Sequence, residues 1–163
     1  DTVADARAAG PDHDWQLDLA VLEPPADATP QEAEDFLPEP PLVIGDEARL
    51  RQVVVNLLAN ARVHTPAGSH VTTTLAREGD TLIVRIHDDG PGIAPEVRDR
   101  LFERFARGDS SRERRTGSTG LGMSIALAIV QSHGGSIDVD SSTAPEDHGT
   151  TFSVRLPAAA VEE

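Results

Sequence analysis

Asn56 and Asn60 stand four residues apart in an otherwise apolar run, so a helix would project both from one face. A buried amide without partners costs about 1–3 kcal/mol. Two kinds of partner would serve: a divalent cation bridging phosphates, since amide oxygens suit hard ions, or neighbouring backbone. A second cluster, Asp88-Asp89-Gly90-Pro91-Gly92-Ile93, follows a β-rich run and presents a carboxylate where two glycines turn the chain tightly. A carboxylate accepts from the exocyclic amine of adenine, which guanine replaces with a carbonyl; alone, the same pattern also describes an ordinary surface turn. The third cluster is basic. Five of the fourteen arginines, Arg104, Arg107, Arg112, Arg114 and Arg115, fall within twelve residues and run into Gly117-Ser118-Thr119-Gly120-Leu121-Gly122-Met123. Forked guanidinium contacts and backbone amides opening a helix both suit phosphate, against the alternative of a solvated Ser/Gly/Arg loop.

The charge balance limits what else this sequence does. Its 163 residues hold 28 acidic and 14 basic side chains, a net charge of −14, and every basic residue is Arg. That excess argues against a non-specific grip on nucleic acid or anionic membrane. Cysteine is absent, which excludes disulfides and thiolate metal sites. No run approaches the roughly 18 apolar residues of a membrane span, and no signal peptide opens the chain. The length suits one domain of roughly 100–200 residues. Opening at Asp1 without Met, the sequence reads as a fragment, which leaves room for targeting information upstream.

The elements that must position these clusters follow from periodicity. Residues 1–14 read as the tail of an upstream helix ending in the Gly10-Pro11 turn. Trp15 to Val21 alternates like a half-buried strand. Residues 23–41 carry six of the twelve prolines and six acids without a base, which predicts a mobile loop, an acidic docking arm being the alternative. Leu42-Val43-Ile44 predicts a short strand. Asp46 then caps a helix to about Val63, with Leu50, Val53, Val54, Leu57, Leu58 and Ala61 as its buried stripe. Val71 to Arg77 and Thr81 to Asp88 form a hairpin through Glu78-Gly79-Asp80. Helical spacing returns from Pro95 to Ala106 and from about Leu121 to Ser132, with a polar stretch at 108–119 between them. Ser136 to Ser141 and Thr150 to Leu156 pair around a loop, and His133 reads as a helix C-terminal residue favouring the dipole. The fold class expected is α/β: a two-layer α+β sandwich with a mixed, mostly antiparallel sheet and three main helices on one face.

Taken in order, Asn56-x-x-x-Asn60, Asp88-x-Gly90-x-Gly92, Arg-Leu-Phe-Glu-Arg-Phe at 100–105, the glycines 117, 120 and 122, and Gly149-Thr150 resemble the ATP-binding catalytic domain of bacterial two-component sensor histidine kinases. That domain belongs with gyrase, the Hsp90 chaperones and MutL in a superfamily of Bergerat-type fold. The resemblance covers about residues 42–157, and implies ATP and magnesium as cofactors. It makes Asn60 the metal ligand, Asn56 its neighbour facing the phosphates, and Asp88 the adenine-reading carboxylate, with Gly90, Gly92 and Ile93 shaping the pocket. Phe102 and Phe105 resemble an aromatic hinge box, Gly117 and Thr119 belong to an arginine-rich lid over 107–119, and Gly120, Leu121, Gly122 and Met123 open the phosphate-cradling helix. Thr150 resembles the residue that supports Asp88, directly or through water, and His64 stacks near the ribose or packs at the helix end. The candidate catalytic residues are Asn56, Asn60 and Arg104.

In the gyrase, Hsp90 and MutL branches a water-activating Glu stands four residues before the metal Asn; this sequence has Asn56, and an amide is no general base at neutral pH. The implied activity is therefore transfer of the γ-phosphoryl group to a positioned histidine. Alternatives are an anti-sigma-factor-type serine kinase and a non-catalytic nucleotide-sensing module. Many relatives carry Lys-Tyr where this chain has Val63-His64, which leaves Arg62 or a lid arginine to replace the Lys. None of the six histidines lies in a phosphoacceptor motif, so the implied partners are an upstream dimerisation domain bearing that histidine and, indirectly, a response regulator. No nucleic acid or direct membrane contact is expected. The resemblance makes residues 15–157 the catalytic domain, flanked by a linker tail (1–14) and a C-terminal tail (158–163), on the cytoplasmic side of a membrane-bound sensor.

Overall fold

The computed structural model describes residues 2–96 and 120–159. Within them the chain runs α1 (Thr2–Ala9), β1 (Asp14–Asp18), a 3-10 turn (Ala20–Leu22), α2 (Pro30–Glu34), α3 (Glu47–His64), β2 (His70–Glu78), β3 (Thr81–Asp88), α4 (Gly120–Ser132), β4 (Ser136–Ala144) and β5 (Asp147–Pro157). The five strands form one sheet in the order β1-β2-β3-β5-β4. β1 pairs parallel to β2 and every other pair is antiparallel, as a mixed, mostly antiparallel sheet requires.

Strand alternation sends one set of side chains toward the helices. Val71, Ile86, Phe152, Val154 and Ile137 from the sheet meet Val53, Leu57, Leu58 and Ala61 of α3, Met123, Ala126, Ile129 and Val130 of α4, and Val3 of α1. Each fully buried aliphatic side chain in such a core contributes about 1.5–3 kcal/mol. α3 begins where Asp46 Oδ1 accepts from the Arg49 N–H at 3.2 Å, the local cap the sequence predicts, and its apolar stripe is the buried one. Register puts Val71, Asp88, Thr150 and Ser141 in a single row across β2, β3, β5 and β4. Beyond the apolar core, the helix-facing side of the sheet thus ends in three polar side chains side by side.

Several expectations change. β1 stops at Asp18 and the chain bends into a 3-10 turn instead of running as strand to Val21. Leu42-Val43-Ile44 joins no ladder among the described residues, and the Leu42 carbonyl accepts from the Ala159 N–H at 2.7 Å. The 23–41 segment contains α2, built on a capping box in which Thr29 and Glu32 bond each other's backbone N–H groups, and Glu39 pairs with Arg77 at 2.9 Å. The loop expected between the last strands is instead strand up to the Ala144–Asp147 pair, closed by a tight turn. His133 follows the last residue of α4 and is held there by its ring. Its Nδ1–H donates to the Ile129 carbonyl at 2.7 Å and its Nε2 accepts from the Asp46 N–H at 3.1 Å, which ties the end of α4 to the start of α3. The expected helix beyond Glu96 and the lid, with Phe102, Arg104, Phe105, Gly117 and Thr119, lie outside the described residues.

Candidate functional site

Along α3, Asn56, Asn60 and His64 repeat at i, i+4 and i+8, one row about 12 Å long at 1.5 Å per residue. The two ends of that row have different neighbours. At the first end the buried Asn56 donates from Nδ2 to the Gly122 carbonyl at 2.9 Å, and accepts from Gln52 on its Oδ1. Asn56 thereby fixes where α4 begins, with Gly120 and Leu121 on the turn just before Gly122. Met123 belongs to the apolar core, so its contribution is packing beneath the site. At the second end His64 lies close enough to Asp88 for each to feel the other's charge. Asn60, half-buried, occupies the middle of the row, about 6 Å from each end by helix geometry.

Asp88 ends β3 and is 7% exposed. Burial pushes its carboxyl pKa up, opposed by the Gly90 N–H, which donates to Oδ1 at 3.0 Å, and by the nearby His87 and His64 rings. Desolvation lowers the His64 pKa even though the ring keeps an exposed edge, with the Asp88 charge pulling the other way. Thr150 stands directly across from Asp88 and is buried; its hydroxyl lies 2.8 Å from that of Ser141. Ser141 also accepts from the Ile93 N–H at 2.7 Å, so Ile93 is held here by its backbone. Gly92 is required: at φ 80° an added Cβ would collide with the Ser142 carbonyl oxygen. The second carboxylate of the turn faces elsewhere. Asp89 accepts from the His70 backbone N–H at 2.7 Å and bonds its ring at 2.9 Å; although partial burial works against it, these bonds hold Asp89 below the usual carboxylate range.

The structure corrects one reading. Arg62 lies on the α1 side of α3, its stem against the position a Gly10 Cβ would take, because two residues past Asn60 is the far side of a helix. It cannot replace the Lys missing at position 63. Sequence reasoning missed Thr65, His148, Ser141 and Gln52. Thr65 is buried with its methyl 2.5 Å from a Gly90 Cβ position, and His148 Nδ1–H donates to the Gly90 carbonyl at 2.7 Å. Of these only Thr65 had a signal, ending α3 directly after His64; the others act across long stretches of sequence.

The profile described as histidine kinase-, DNA gyrase B-, and HSP90-like ATPase matches residues 45–160. The chain belongs to this family. The probable sensor histidine kinase TcrY of Mycobacterium tuberculosis is 48% identical over 157 residues, covering 96% of this chain and 29% of TcrY. The sensor histidine kinase WalK of Bacillus subtilis is 40% identical over 114 residues, 69% of this chain and 18% of its own. The chain therefore spans less than a third of the length of these curated relatives. The solved mycobacterial sensor histidine kinase MprB superposes with a TM-score of 0.71 at 28% identity, over 98% of this chain and 91% of that one. The catalytic domain of histidine kinase ThkA shares the fold, at a TM-score of 0.67 and 21% identity over 96% of this chain and 90% of that one. As a member of this ATPase family the chain is an ATP-binding domain with the Bergerat-type fold, and every candidate site residue lies inside the matched span.

Proposed function

We propose that residues 15–157 bind Mg-ATP and pass its γ-phosphoryl group to a histidine on a dimerisation domain outside this sequence. The observation that carries this reading is the state of Asn56. Its Nδ2 donates to the Gly122 carbonyl, so the position where hydrolytic branches carry a Glu is here a tie between two helices with no proton acceptor aimed at water. Bound ATP then waits for a positioned acceptor, and the rate gain comes from alignment and charge neutralisation. Transfer forms a bond from the acceptor imidazole nitrogen to the γ-phosphorus, breaks the bond to the β–γ bridging oxygen and leaves ADP.

The Asp88 carboxyl accepts from the exocyclic amine of adenine, with Thr150 beside it, while Gly90, Gly92 and Ile93 hold the turn and His64 lies along the ribose side. Among the described residues no three His, Cys, Asp or Glu side chains gather as a metal cage. The fitting donor is the single amide oxygen of Asn60, a set suited to magnesium carried mainly by phosphates and water; when bound, the ion offsets phosphate charge. Phe102, Phe105, Arg104, Gly117 and Thr119 enter this proposal from their sequence motifs, Arg104 as a cation for the transferring phosphoryl group. A response regulator would take the phosphoryl group onward, and the fragment would sit on the cytoplasmic side of a membrane-bound sensor.

Incubating the fragment with γ-labelled ATP and a separately prepared acceptor domain tests the reading. The expected product is labelled acceptor, labile to acid and stable to alkali. Label with the opposite stability would indicate serine and an anti-sigma-factor-type kinase. Tight ATP binding without transfer would indicate a nucleotide-sensing module.

A further inference from the structure

Residues 12–15 precede the span matched by the family, yet they bond to Thr65, Gly68 and Ser69, and Thr65 lies against the turn that follows Asp88. His13 Nε2 lies 2.7 Å from Thr65 Oγ1 and 3.3 Å from the Thr65 carbonyl oxygen. The Thr65 hydroxyl donates to the Ala61 carbonyl at 2.6 Å, so His13 is the donor and carries its hydrogen on Nε2. Its Nδ1 is left as a buried acceptor without a hydrogen-bond partner among the described residues. Such an orphan is costly, and packing alone does not call for it: any flat ring would serve the tilted contact with Trp15, 5.7 Å between centroids. The group that makes a histidine useful here is its Nε2–H.

Thr65 in turn forms a wall of the purine turn. It is buried, and its methyl stands 2.5 Å from where a Gly90 Cβ would be. Gly90 donates to Asp88 Oδ1, which makes one continuous chain of contacts from His13 through Thr65 and Gly90 to the carboxylate. The same segment also holds the α3–β2 connection that Thr65 opens, because the Asp12 carbonyl accepts from the Gly68 N–H at 2.7 Å and the Asp14 N–H donates to the Ser69 carbonyl at 2.9 Å. Arg7 ties α1 to this segment through the Trp15 carbonyl at 2.8 Å.

We propose that His13 is a positioning residue for the purine end of the nucleotide site: by donating to Thr65 it fixes the wall against which Gly90 and Asp88 are seated. The proposal rests on Asp88 reading the purine. It makes the α1–β1 junction, upstream of the matched span, a determinant of nucleotide affinity.

Calorimetry of ATP and ADP with magnesium, beside a thermal melt, tests this on the whole chain and on His13→Ala, His13→Gln and Arg7→Ala. His13→Ala weakens both nucleotides by the same factor, about three- to tenfold. His13→Gln, whose amide nitrogen reaches about as far as Nε2 and can donate, recovers affinity to within about twofold. Arg7→Ala lowers the melting temperature and leaves both affinities unchanged. Wild-type affinity in His13→Ala, no recovery in His13→Gln, equal weakening by Arg7→Ala, or a loss confined to ATP would each overturn the proposal. Should His13→Ala not fold, His13→Asn, with an amide too short to reach Thr65, takes its place with the same expectations. Absence of ATP binding by the wild-type chain itself would instead defeat the reading of Asp88, a distinct outcome.

Discussion

Replacing Asp88 with Asn separates recognition from architecture, because the two readings of this carboxylate predict opposite changes. The swap preserves shape and leaves an oxygen to accept from Gly90, 3.0 Å away, while removing a charge that burial disfavours. Stability should be unchanged or raised by up to about 1 kcal/mol. Affinity for ATP should fall, since a bond from the adenine amine to a carboxylate is worth about 1.5–3 kcal/mol, or roughly ten- to a hundredfold in Kd. Calorimetry gives the affinity, and the fluorescence of Trp15, the sole tryptophan, follows unfolding. A variant that loses more than about 1 kcal/mol of stability and binds ATP as before would refute the reasoning and make Asp88 structural. The pH dependence has a matching sign. With its folded pKa raised above the unfolded one, Asp88 burdens the empty fold at high pH and relieves it as pH falls through the folded value. Affinity moves the other way, because the protonated carboxyl no longer presents an ionised acceptor, and Asp88→Asn should abolish that acid-side loss.

Gly92→Ala forces φ 80° on a residue with a Cβ aimed at the Ser142 carbonyl, and should cost about 1–3 kcal/mol in denaturant unfolding. Asn56→Glu turns an acceptor toward the Gly122 carbonyl; the expectation is a loss of about 1–3 kcal/mol, with no gain in phosphate release from ATP. His133→Ala removes the acceptor of the Asp46 N–H and should lower stability by about 1 kcal/mol in denaturant unfolding. Asn60→Ala should remove the part of ATP affinity that depends on magnesium, read by calorimetry with and without the ion.

Elements written in local sequence were legible. Asp46 and the three- and four-residue spacing from Leu50 to Ala61 define α3, and Gly79-Asp80 marks the hairpin, because a cap, a stripe and a turn each depend on residues within one or two turns of chain. Leu42-Val43-Ile44 misled, since three apolar residues make a strand only where a sheet edge accepts them, and Ile44 is 84% exposed. Thr29-Pro30-Gln31-Glu32 carried a capping-box signal outweighed by the proline and acid content around it. The identities of Asn56, Asn60 and Asp88 were readable as motifs, but their partners were not. The bonds from Asn56 to Gly122, His13 to Thr65 and His133 to Asp46 join residues 66, 52 and 87 positions apart, and nothing short of the folded chain brings them together.

Titration of the wild-type chain with ATP and GTP, each with and without magnesium, most directly tests whether the α3 row and the end of β3 share one nucleotide. Tight binding of ATP with magnesium, weaker binding without it and far weaker binding of GTP is the result this geometry predicts. Equal affinity for the two purines together with indifference to magnesium would contradict it.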